Sequence, residues 1–120
     1  MTQDEFISYV LNNVKKSDIL KRQKKDSEIH KVILSGPNIG IECIVGKNGN
    51  TKKINLDDLI ATYGLLISNQ TILHITFIKK LHNKNKPCVS YLIVALLIKL
   101  ELILKVEGEV DLYFSTLLKR

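Results

Sequence analysis

Between residues 29 and 56 the apolar residues leave helical spacing and gather in three short β-branched runs, 29–34, 39–45 and 51–56, separated by turn formers. That pattern admits little besides an antiparallel meander. Ser35-Gly36-Pro37-Asn38 divides the first run from the second. Gly46-Lys47-Asn48-Gly49-Asn50 divides the second from the third, and its Asn-Gly pair tolerates the positive φ of a tight hairpin. Before the meander the period is helical. Thr2 and Glu5 have capping-box spacing, and Phe6, Tyr9, Val10 and Val14 recur on one face, which predicts an amphipathic helix over residues 3–15.

After the meander the period is helical again. Asn55 or Asp57 is positioned to cap a helix whose stripe is Leu59, Ile60, Tyr63, Leu66 and Ile67 and whose end falls near Ser68-Asn69. Residues 70–73 are too few to assign. Thr76 is then expected to cap a helix containing Phe77, Ile78 and Leu81, which the polar run His82-Asn83-Lys84-Asn85-Lys86 stops. Pro87 suits the first position of a further helix, because its missing amide has no intrahelical partner there. That helix, over residues 88–101, carries Val89, Leu92, Leu96 and Leu100 on one face. Residues 103–106 and 110–114, joined by Glu107-Gly108-Glu109, predict a terminal β-hairpin. The fold class is therefore α+β. With 120 residues there is room for a single domain, its parts an N-terminal helix and basic segment (1–27), the meander (28–56) and a C-terminal unit (57–115).

Hydrophobic residues form 45% of the chain and charged ones 25%, values that exclude disorder and fibrous repeats. The longest uncharged apolar run, 88–98, is far short of the roughly 20 residues that span a bilayer. The start, Met1-Thr2-Gln3-Asp4-Glu5, is acidic where a secretory signal is basic. Cys43 and Cys88 stand apart inside apolar runs and read as reduced core residues. A cytoplasmic location with no membrane partner is the expectation.

The charge is +6, and two clusters carry much of it. Lys15, Lys16, Lys21, Arg22, Lys24 and Lys25 face a single acid, Asp18, and Ile19 and Leu20 are the apolar anchors of that stretch. Lys79, Lys80, Lys84 and Lys86 form a second cluster with no acid among residues 79–86. Lys47 to Lys53 offers a weaker third. Such a balance favours polyanionic partners.

Residues 92–114, LIVALLIKLELILKVEGEVDLYF, together with the two helices expected before them, resemble the winged helix family: a third helix runs directly into two wing strands joined by a Gly turn. The resemblance lies in element order and covers residues 57–115. It implies DNA binding, with the third helix in the major groove and the wing on phosphate. Carried onto this chain, the groove contacts are Ser90 and Tyr91 with Lys99 further along, and the phosphate contacts are Lys79, Lys80, Asn83, Lys84, Asn85 and Lys86. Lys21, Arg22, Lys24 and Lys25 add a further set. Two features run against it. Off its main face the helix offers Val94, Ala95 and Ile98 rather than base-reading side chains, and the wing holds Glu107, Glu109 and Asp111 against Lys105. An apolar third helix suits instead a homodimer or partner interface through Val94 and Ile98, or a helix enclosed within the monomer. The leading expectation is a small DNA-binding regulator making phosphate contacts; the alternative is a protein-interaction module.

Catalytic patterns are scarce. His30, His74 and His82 are scattered, and Asp57 and Asp58 are adjacent at a helix start and point to different faces. Glu42 is followed two residues on by Ile44, so the Glu-x-Lys of many nucleases is missing, and the glycines match neither G-x-G-x-x-G nor a P-loop. A binding protein rather than an enzyme is expected, with no cofactor and no metal.

Overall fold

The computed structural model describes residues 1–22, 26–45, 49–68, 72–82 and 87–117. Helix α1 (Gln3–Asn12) opens with the expected capping box: the Glu5 amide donates to Thr2 Oγ1 at 3.2 Å and the Thr2 amide to Glu5 Oε1 at 2.9 Å. It stops three residues before the predicted end. Asn13 turns its side-chain amide back to the Tyr9 carbonyl at 2.7 Å, and the chain then reverses through Ser17 at φ +77°.

Within the basic stretch after α1, residues 19–21 form a strand. Asp18 folds the reversal by accepting the Lys15 amide at 3.0 Å, and Ser17 and Asp18 exchange backbone hydrogen bonds with Ile29 at 2.7 and 2.8 Å. Strand β1 (Ile19–Lys21) then pairs with β2 (Asp26–Ile33). The meander accordingly has four strands rather than three, in the order β1-β2-β3-β4 with β3 (Gly40–Val45) and β4 (Asn50–Asn55), all antiparallel. Its inner face buries Leu20, Ile29, Ile41, Cys43 and Ile54 completely. Where β3 begins, it and β4 come so close that a Cβ on Gly40 would run into the Ile54 carbonyl.

Asn55, not Asp57, caps α2 (Leu56–Ser68): its side-chain oxygen accepts the Asp58 amide at 2.8 Å, and Asp58 accepts the Asn55 amide at 3.0 Å. Leu59 and Leu66 of the predicted stripe are buried. Tyr63 is half-buried against Phe6, ring centroids 5.5 Å apart, and its hydroxyl donates to the Met1 carbonyl at 2.7 Å.

Residues left unassigned by the sequence supply β5 (Leu73–His74), which leads into α3 (Ile75–His82). The cap of α3 is His74 rather than Thr76: His74 Nδ1 accepts the Thr76 amide at 3.1 Å and lies 2.8 Å from the Thr76 hydroxyl. Pro87 begins α4 (Pro87–Lys99), as its missing amide predicts. The helix ends with Glu101 in the left-handed region at φ +57°, the Leu102 amide on the Leu97 carbonyl and the Glu101 amide on that of Ile98, a Schellman stop built without glycine.

The predicted hairpin is present as β6 (Ile103–Lys105) and β7 (Leu112–Ser115), turning through Gly108 at φ +79°, and β5 joins it in a sheet ordered β5-β7-β6. Helix α4 lies between the two sheets. It packs on β1 and β4 of the first, on α3 and on β6 of the second, and Val89, Leu92, Ile93, Leu96 and Leu97 are buried. No helix of the described residues is long and apolar enough to cross a membrane.

Candidate nucleic-acid interface

Enclosure by two sheets leaves α4 one narrow outward strip. Positions 91, 94, 95 and 98 share a helical face. Tyr91 and Ile98 project from it at 42% and 44% exposure, while Val94 and Ala95 form its recessed floor. Ile75 from α3, Tyr113 from β7, and Lys21 and Arg22 at the end of β1 complete the lining. The result is a shallow depression of about 100 Å³.

Cations reach this strip from two distant parts of the chain. Lys79 on α3 holds its Nζ 4.9 Å from the centre of the Tyr91 ring, within cation–π range. Lys21 is exposed at the end of β1, and Arg22 is half-buried, its Nε enclosed with no hydrogen-bond partner among the described residues. The Arg22 charge is felt inside the sheet. Burial pushes the Cys43 thiol up to about 11, and the guanidinium partly opposes that rise. The Tyr113 phenol is raised by burial first and by the Asp111 carboxylate second.

The structure therefore brings together Lys21, Arg22, Lys79, Tyr91, Val94 and Ile98, and separates them from other expected contacts. Ser90 is wholly buried and Val94 is 6% exposed, which corrects the expectation that Ser90 reads a groove and that Val94 is an open interface residue. The enclosure of α4 is the reason: with a sheet on each side, the face holding Ser90 points inward. Lys80 is exposed on α3, one residue round the helix from Lys79, and Lys99 is exposed at the end of α4. Lys24, Lys25, Asn83, Lys84, Asn85, Lys86 and Lys47 lie outside the described residues, as does the Cys88 side chain. Lys52 and Lys53 are on β4, at the opposite edge of the sheet from Lys21. Lys15 and Lys16 border a different groove, beside His30 and Lys31.

Sequence reasoning missed Ile75 and Tyr113 as walls of the depression. Neither has a local signal, because each arrives by the pairing of the second sheet. For other chemistry, His74 is committed to capping α3 and Cys43 is a free, buried thiol. Among the described residues no group of His, Cys, Asp or Glu side chains is arranged to hold a metal ion. No family model, curated protein or solved structure matches the chain.

Proposed function

We propose that this chain is a nucleic-acid-binding protein that grips duplex DNA through phosphate contacts, with Lys21, Arg22 and Lys79 as the central cations and Tyr91 and Ile98 as the surface they flank. One observation carries the reading: residues nearly sixty positions apart deliver positive charge to the same exposed strip of α4. Arg22, half-buried beside the strip, brings a guanidinium, the side-chain group best matched to a phosphate. The order α2, α3, α4, hairpin supports the winged-helix reading of the C-terminal half. Its mode of binding differs from the family's usual one, since α4 has no open face to lay in a major groove and its strip offers no bidentate base reader. Recognition is accordingly of the backbone, with little dependence on sequence.

A titration of duplex DNA against salt tests this. Affinity falls linearly with log salt at a slope of about 0.9 per phosphate neutralised, and duplexes of unrelated sequence bind alike. Absence of binding to any duplex at about 50 mM salt, where counterion release favours such contacts, contradicts the proposal. The alternative is a protein interface, which the exposure of Tyr91, Ile98 and Phe77 on α3 and α4 favours. It predicts self-association or partner capture that disappears on Ile98→Glu.

A further inference from the structure

The two most exposed large aliphatic side chains among the described residues sit in opposite electrostatic settings. Leu34, 59% exposed, overhangs a groove of about 580 Å³ between α1 and β2. Val14 and Val32 contribute its apolar floor, and Lys15, Lys16 and Lys31 stand around it with His30. No acid lines this groove. The nearest in sequence, Asp18, is engaged by the Lys15 amide, and Asp4 lines the adjoining depression along α1. Val110, 73% exposed, stands on the tip of the hairpin beside Glu107 and Glu109, both exposed.

A cationic groove with an apolar floor and an anionic tip with an apolar point are complementary in charge and in hydrophobic character. No hairpin residue lines the groove of its own molecule. We infer that the hairpin tip of one molecule docks in the α1–β2 groove of a second copy, with Glu107 and Glu109 against Lys15, Lys16 and Lys31 and Val110 against Leu34. Because the two surfaces are different parts of the molecule, two copies either exchange tips about a two-fold axis or join head-to-tail, in a row that closes into a ring or extends with a free tip at one end and a free groove at the other. The contact is distinct from the Tyr91–Ile98 strip and is tested without nucleic acid.

Sedimentation velocity provides the test, at about 0.05 M and about 0.5 M salt, because screening shortens the reach of exposed charges from about 14 Å to about 4 Å over that range. At low salt the average mass rises with protein concentration above the 13.6 kDa of one chain, and at high salt it returns to that value. Glu107→Lys/Glu109→Lys and Lys15→Glu/Lys31→Glu each sediment as monomers at low salt. Their mixture associates, since each tip then meets a groove of opposite charge. Val110→Ser, which alters no charge and no buried contact, weakens association of the otherwise native chain and serves should a charge variant fail to fold. A wild type that is monomeric at low salt overturns the inference. So do tip or groove variants that associate as the wild type does, and a mixture that stays monomeric.

Discussion

At Gly40 the requirement for glycine comes from a neighbour rather than from a turn. The Ile54 carbonyl, on the paired strand β4, occupies the space a Cβ would need. Gly40→Ala is expected to lower stability by about 1–3 kcal/mol, the usual range for an overpacked site, read as a fall in thermal midpoint. Gly36→Ala meets no neighbouring atom and tests the turn's positive φ alone. The cap of α2 is a second single-residue dependence: Asn55→Ala is expected to cost about 1 kcal/mol. Cys43 adds a pH dependence whose sign is fixed by its burial. Its thiol is raised from 9.0 to about 11, so the unfolded chain releases this proton first as pH rises. The contribution is fully present below 9.0 and is lost as pH rises toward about 11. Comparing wild type with Cys43→Ala by denaturant unfolding isolates it, and parallel pH profiles for the two proteins would contradict it.

At the scale of elements, α4 decides what the C-terminal half can do. Leu96→Asp is expected to unfold the protein, because it places an unpaired carboxylate at a wholly buried position of α4, whereas Ile98→Glu, at an exposed position, leaves a folded chain by circular dichroism. If the strip meets DNA, Ile98→Glu also weakens binding by repulsion of phosphate; unchanged affinity removes this strip from the contact. The all-round apolar character of α4 was legible, and with it the alternative that the helix is enclosed. That the face off its main stripe is narrowed to Tyr91 and Ile98 was not, since that depends on where β1 lies. Three residues long, β1 has no period of its own, and it exists because Asp18 and a left-handed Ser17 turn the chain back to pair with β2. The same holds for β5, whose two residues form a strand only because β7 is there to pair with them. Helix starts with side-chain caps, at Thr2 and Asn55, were readable from local spacing. The end of α4 was not, because Glu101 takes the left-handed position where glycine is the usual signal.

For the whole molecule, a net charge of +6 does not by itself make a binding face, since many basic residues are dispersed: Lys52 and Lys53 are at one edge of the first sheet, Lys21 is at the other, and Lys15 and Lys16 border a separate groove. The sequence identified Lys21, Arg22, Lys79, Tyr91 and Ile98 as separate candidates. What joins them is the passage of α4 between two sheets, a long-range arrangement with no local signature. On the proposed function it is this junction, and not diffuse positive charge, that holds nucleic acid. It is tested most directly by the salt dependence of duplex DNA affinity for the wild type, for Lys21→Ala/Arg22→Ala/Lys79→Ala and for the control Lys52→Ala/Lys53→Ala. The triple variant is expected to lose close to 0.9 of slope for each phosphate contact removed, while the control keeps the wild-type slope. A triple variant with the wild-type slope, or a control that loses as much per lysine, would contradict it.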